Sequence, residues 1–388
     1  MPPGPLPPCA SRPGTTMCAS FLSRGCRPSY ANRALSSTAR TNQKTKFIGR
    51  KRMLTKKVML KKSRLNAWLH SIAAMAGAVL LAGTALAADT YPSGPIKIIV
   101  PFAAGGSNDA MARLIGRELS KRWGPENIVE NITGAGGNVG AAAAARAAPD
   151  GYTLIAGSIG THAVNQYLYS TMPYDTMKDF APISLIAEVG LLVVVHPSLP
   201  VHNIRELIDY AKAHPDELNF ASGGVGASQH LAAELFMHMT GTKMTHVPYR
   251  GSAGSISDLL SGRVQVMFAD MPLVLEHVHA GALRAIAFAG DHRSPATPDV
   301  PTVDESGVKG FRASAWYGLF APARTPPEVT SKLNETVVSI LKSPDVNEYL
   351  MKLGAEPRPM TIAEFTEFQK NESERWGNLI KTIGLKVD

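Results

Sequence analysis

The groups with the most chemical potential in this chain are bare backbone amides rather than charged side chains. In Ile96–Asp109 a short apolar strand runs into a small, glycine-bearing turn, and an amphipathic helix follows at once. Such a turn presents free N–H groups beside the positive end of a helix, which is a ready site for an anion. No Lys or Arg lies between Lys97 and Arg113, so an anion held here is held by dipoles and hydroxyls. A second turn of similar character, Ala221–Ser228, stands far downstream before another helix. Two such loops facing each other form a clamp for a small carboxylate.

Other candidate chemistries read less well. Gly134–Gly140 resembles a nucleotide loop, but the residue three after Gly136 is Val139, and no Lys-Ser/Thr follows to make a P-loop. A tight strand-to-helix turn that helps line a cleft fits it better. Ser222, Ser228 and His230 look like a hydrolase fragment, yet the body contains no G-x-S-x-G elbow and nothing signals a triad. Those serines serve better as hydroxyl donors or helix caps. His277 and His279 point to different helix faces, and His230 with Glu234, four apart, reads as a surface contact rather than a metal site. No metal and no cofactor is expected. Tyr249 and Arg250, between a strand and a helix, are placed to line a cleft or pair with an acidic ligand. Asp270 stands just past a strand, where open sheets meet ligands, or it caps the helix that follows.

Elements able to position these groups alternate regularly. Strand Ile96–Val100 precedes helix Asp109–Trp123, in which Met111, Leu114, Ile115 and Leu119 recur at helical spacing. Strands at 128–130 and 153–156 flank an Ala-rich helix, and Ile183–His196 reads as a long, fully buried strand. After Pro197 and Pro200 a new series begins. Its helices are 203–213, capped by Asn203, then 229–239, 253–260 and 273–280; its strands are 218–221, 244–247, 264–268 and 283–289. A buried strand at 315–320 and helices at 327–341 and 362–383 complete the chain. The alternation predicts α/β layers with parallel sheets.

Taken whole, the chain carries +9, which hints at nucleic acid or a membrane surface. That charge is all in the front. Residues 1–87 hold 15 Lys and Arg and no acid, leaving the body with 25 basic against 31 acidic residues, a net −6. All three cysteines, Cys9, Cys18 and Cys26, are also in the leader. Nucleic acid is therefore not an expected partner. Met59–Arg64 gives a positive start, Ile72–Leu86 an apolar run, and Ala85-Leu86-Ala87 a small-x-small cleavage pattern. Residues 59–87 thus read as a secretory signal cut after Ala87, the apolar run falling short of the ~20 residues of a membrane span. Residues 1–58 read as an over-extended start or a disordered arm. About 300 residues exceed one ordinary core, so two lobes are expected: 88–190 with 320–388, and 191–319.

The motifs Pro101–Gly106, Gly134–Gly140, Pro149–Leu154, Pro173–Asp175, Asp179–Pro182, His230–Phe236 and Val247–Gly251 together resemble the Bug family of extracytoplasmic solute receptors. These receptors serve tripartite tricarboxylate transporters, and the similarity runs in order through 91–388. The resemblance implies a type II periplasmic-binding-protein fold, two α/β lobes joined by two crossing strands with a ligand cleft between them. It implies that Phe102, Ala103, Ala104, Gly105, Gly106 and Ser107 form one half of a carboxylate clamp. Ser222, Gly224, Gly226 and Ser228 would form the other half, with Ser158, Thr161, Tyr249 and Asp270 bounding the far end. The partners implied are a small carboxylate and a membrane permease, and the expected form is a periplasmic, non-catalytic monomer that closes over its solute. A periplasmic sensor is the alternative, and an enzyme on the same two-lobe fold a lesser one. Ligand identity does not carry over.

Overall fold

The computed structural model describes residues 91–387; the leader and its expected cleavage site lie outside the described residues. Strands β1 (Lys97–Val100), β2 (Ile128–Asn131) and β3 (Thr153–Ser158) pair in parallel in the order β2-β1-β3. Their crossovers contain helices α1 (Ser107–Trp123) and α2 (Asn138–Ala145). Residues 160–168 then form an irregular helical segment, a wide π turn over Gly160–Val164 followed by one α turn over Asn165–Leu168.

Strand β4 (Phe180–Val195) organises the whole sheet. From Phe180 to Gly190 it pairs antiparallel with β9 (Ser314–Pro322), which also pairs with β3, and Ala187–Val189 take β10 (Ala355–Pro357) on the other edge. From Leu191 onward it changes partners to β7 (Val266–Asp270) and β8 (Arg284–Phe288). Strands β5 (Asn219–Ser222) and β6 (Thr245–Pro248) extend from β7 in parallel register. Leu191–Val195 are fully buried, as a strand covered on both faces requires. Gly190 marks the handover. A Cβ there would run into the Phe288 ring and Met271, so only glycine lets β4 pass between its two sets of partners.

The second series adds α3 (Ile204–Ala213), α4 (Ser228–Thr240), α5 (Ser252–Leu260) and α6 (Met271–His279). The carboxyl-terminal helices α7 (Pro327–Leu341), α8 (Pro344–Lys352) and α9 (Ile362–Ile383) follow. Asn203 caps α3 as expected, its side chain accepting from the Glu206 N–H. Helix α8 and β10 escape the sequence reading because only Val346 and Leu350 are buried along α8, too few to show a period. In the core, the His162 ring is stacked 3.9 Å from Phe320 and lies 4.5 Å from Phe180. Gly157 and Gly318, paired across β3 and β9, leave the flat surface that His162 and Phe365 fill.

Candidate ligand cleft

Three helices begin at one cavity. Helices α1, α4 and α5 start at Ser107, Ser228 and Ser252, preceded by Gly106, Ala227 and Gly251, and none has a side chain capping its amino terminus. The first-turn N–H groups therefore lack side-chain acceptors, and the positive ends of three dipoles converge. The cavity encloses about 430 Å³ of unfilled space, part of it open to solvent. Phe102, Ile159 and the Tyr317 side chain wall it, and Ser107, Ser158, Ser228 and Ser252 give hydroxyls. Among the described residues no Lys, Arg or His lines it, and Asp109 is the one charged residue that does.

Asp109 braces the first turn. Its Oδ2 accepts from the Gly105 N–H at 3.0 Å and from Arg113 Nε at 2.9 Å, and its Oδ1 accepts from Asn131 Nδ2. Burial pushes this carboxyl up, but the donors from Arg113, Gly105 and Asn131 outweigh it and hold it below the usual carboxylate range. The second turn rests on two stacked imidazoles. His230 and His246 lie ring over ring at 3.9 Å, with Phe220 stacked 4.8 Å beyond His246. His230 Nδ1 accepts from the Gly226 N–H at 3.2 Å, and His246 Nε2 shares a 2.6 Å hydrogen bond with Ser222 Oγ. Burial first, and the neighbouring His230 second, push His246 down to about 3. His230 is thus buried, with Glu234 3.4 Å from its Nε2, so the surface contact read from their spacing is corrected: the apolar face of α4 draws the ring inward.

Below the cavity sits Asp270, the last residue of β7 and fully buried. Its Oδ1 accepts from Gln229 Nε2 at 2.7 Å and its Oδ2 from the Tyr317 hydroxyl at 2.6 Å. It makes no cap hydrogen bond to α6, because both oxygens already face donors from α4 and β9. Burial raises this carboxyl, against the lowering donors Ser107, Tyr317 and Gln229. Burial and the Asp270 charge drive Tyr317 well up.

Of the residues singled out from the sequence, Phe102, Ala103, Gly106, Ser107, Ser158 and Ser228 line this cavity. Gly224 and Tyr249 line an outer space of about 910 Å³, shared with Phe102, the Gly134–Gly137 loop and Arg250. Tyr249 gives its hydroxyl to Asp258 at 2.6 Å. Ala104 and Gly105 lie at the exposed tip of the first turn. Ser222 and Thr161 are fully buried, Thr161 accepting from the Ser158 N–H. Gly226 packs against Asn165 and Leu168. The two turns meet other segments directly: Ala103 N–H donates to the Arg250 carbonyl, and Gly136 lies against the Val225 carbonyl.

Sequence reasoning passed over Gln229, Ser252 and Tyr317. Gly251-Ser252, a small residue and a serine between strand and helix, repeats the pattern of Gly106-Ser107 and was the available signal. Tyr317 lies inside an apolar strand run and gave none.

The family described as "Tripartite tricarboxylate transporter family receptor" matches residues 111–385. Protein BugT of Bordetella pertussis is 39% identical over 303 residues, 78% of this chain and 93% of that protein. The solved structure of R. palustris Rpa4515 with adipate is 37% identical, covers 76% of this chain and 100% of that one, and superposes with a TM-score of 0.75. MatC (Rpa3494) from Rhodopseudomonas palustris with bound malate is 35% identical, covers 75% and 100%, and has a TM-score of 0.72.

Proposed function

The chain belongs to the tripartite tricarboxylate transporter receptor family, and on that premise we propose that it is a periplasmic receptor that closes over a small organic carboxylate for delivery to a membrane permease. One observation carries the reading: three uncapped helix amino termini converge on a small cavity without a cation. Such a cavity holds an anion through oriented N–H groups. The adipate and malate in two relatives support a carboxylate as the class.

In this reading the signal segment is removed after Ala87 and the mature body works as a monomer. Residues 88–190 with 320–388 form one lobe and 191–319 the other. The first lobe supplies Phe102–Ser107, with Ser158 and Thr161 behind them. The second supplies Ser222, Gly224, Gly226 and Ser228, with Tyr249 at the mouth and Asp270 beneath. Closure brings α4 and α5 against α1, and the ligand drives it through its greater affinity for the closed form. The cavity is used for binding, not turnover.

A thermal-shift screen of mono-, di- and tricarboxylates tests the proposal, because a ligand that binds only the native state raises the melting temperature. At least one acid is expected to raise it by several degrees at 100 times its Kd. No shift from any of them, or chemical conversion of the acid that binds, overturns the receptor reading.

A further inference from the structure

We propose that the cleft takes up one proton together with its carboxylate, stored on Asp270, and that this proton redirects the Tyr317 hydrogen from Asp270 to the ligand. The inference rests on the receptor reading and adds a second, titratable component to the bound state.

Hydrogen-bond polarity carries it. Gln229 Nε2 can only donate, and it donates to Asp270 Oδ1 and to Ser252 Oγ. Oδ1 is therefore closed to a proton, and only Oδ2, which faces Tyr317 at 2.6 Å, can accept one. With Asp270 ionised, Tyr317 spends its one hydrogen on Oδ2, so the oxygen of this cavity-lining residue has only lone pairs to offer a ligand. A carboxylate, itself all acceptor, meets repulsion there. With a solvent proton on Oδ2, the carboxyl donates to the Tyr317 oxygen. The tyrosine hydrogen then turns to the cavity and donates to the ligand. No covalent bond other than the Oδ2–H bond forms.

The surroundings favour this exchange. From α4, Gln229 is neutral, and the adjacent His230 is engaged by the Gly226 N–H and Glu234. From α1 come Ser107, whose buried hydroxyl faces Asp270 and Tyr317 and lowers both, and Asp109, already paired with Arg113. From α5 comes Ser252, and from β9 Tyr317. Across β4 the partner of Asp270 is Leu191, and the acid of that strand, Glu188, is paired with Arg358 at 3.1 Å. No cation among these offsets two anions in one closed site, and low dielectric makes their repulsion strong. One must become neutral, and the buried Asp270 is the one shielded from solvent.

Calorimetric titration tests this with malate, adipate, citrate and acetate as probes, in phosphate and in Tris, from pH 6 to 9. The probes are ionised throughout almost all of this range. The difference in heat between buffers counts protons taken up. The wild type is expected to take up close to one proton at the alkaline end, its Kd weakening about tenfold per pH unit there. Asp270→Asn reproduces the protonated state, its amide accepting from Gln229 and donating to Tyr317. It is expected to take up no proton and to bind with a Kd independent of pH. Tyr317→Phe, which breaks the relay, is expected to lower uptake well below one. Binding without proton uptake across the whole range, or uptake unchanged in Asp270→Asn, overturns the inference and leaves the receptor reading standing. Binding by none of the four acids overturns both.

Discussion

Replacing Gly226 by alanine separates closure of the cleft from stability of the fold. Gly226 has φ of +80°, and a Cβ there would lie 2.6 Å from Asn165 Oδ1 and 2.9 Å from Leu168 Cδ1. Two costs follow. Backbone strain of about 1–2 kcal/mol acts whenever the loop is folded. The steric conflict, about 1–3 kcal/mol, acts only when Gly226 is pressed against 165–168. Asn165 cannot swing aside, because its Nδ2 donates to Asn138 Oδ1 at 2.7 Å and to the Gly136 carbonyl at 3.1 Å. Gly241 supplies the control: it ends α4 with φ of +66°, and a Cβ there meets nothing within 4 Å. Without ligand, Gly226→Ala and Gly241→Ala should unfold within about 1 kcal/mol of each other in urea, an open cleft relieving the contact in the first. In calorimetry with the acid that best stabilises the wild type, Gly226→Ala should bind about 5- to 150-fold more weakly, and Gly241→Ala should match the wild type. Equal affinity in all three proteins would show that 226 and 165–168 do not close on each other over the ligand.

Three further outcomes are expected. Burial holds His162 near a pKa of about 3, and burial with His230 does the same for His246. The unfolded chain takes up both protons near pH 6.5, and the folded one only near 3. These histidines therefore cost stability as pH falls through that window, each by about 1.4 kcal/mol per unit. Asp270, raised by burial, works in the opposite direction, so His162→Phe should flatten the urea-measured slope between pH 6 and 4 by one proton's worth. Asp109→Ala removes the brace that Gly105, Arg113 and Asn131 share, and the loosened first turn, outweighing the loss of a negative charge already paired with Arg113, should weaken carboxylate binding about tenfold, the scale of one charge-assisted hydrogen bond, read by calorimetry at pH 7. Gly318→Ala drives a Cβ into the Phe365 ring and should lower stability by about 1–3 kcal/mol in urea, with affinity for the best acid falling less than threefold.

Much of the architecture was legible because strong local signals coincided with it. The Ile-Ile-Val of β1, the long β-branched run of β4 and the periodic face of α1 specify their states within a few residues. Both glycine turns and their helices were legible for the same reason: a turn needing positive φ leaves glycines at fixed places, as at Gly105, Gly224 and Gly226. What pairs with what was not legible. Ser222 reads as a hydroxyl for a ligand until β6 brings His246 to it, and His230 reads as exposed until that same ring covers it. Both facts depend on the parallel register of β5 and β6, in which Phe220 stands opposite His246. Tyr317 was hidden for a related reason. Every residue of Ala315–Pro322 is buried, so alternation could not mark the one ring whose oxygen faces a polar partner.

Among the described residues no cation lines the cavity, and this bears directly on how the proposed closure would be driven. A lysine or arginine on one lobe would hold a carboxylate almost as well open as closed, and binding energy common to both states shifts no equilibrium. N–H groups at helix ends act within about one turn, so in the proposed two-lobe reading those of α1 would serve a ligand in the open cleft and those of α4 and α5 would contribute once the gap is shut. In that reading two of the three amino termini add affinity to the closed form alone. The proton proposed for Asp270 would work in the same sense, since its relay partner Tyr317 reaches from β9 to β7 and repulsion between two anions is strongest where water is excluded. A net charge of −6 on the body then costs little, because capture depends on contacts shorter than the distance at which salt screens the general field.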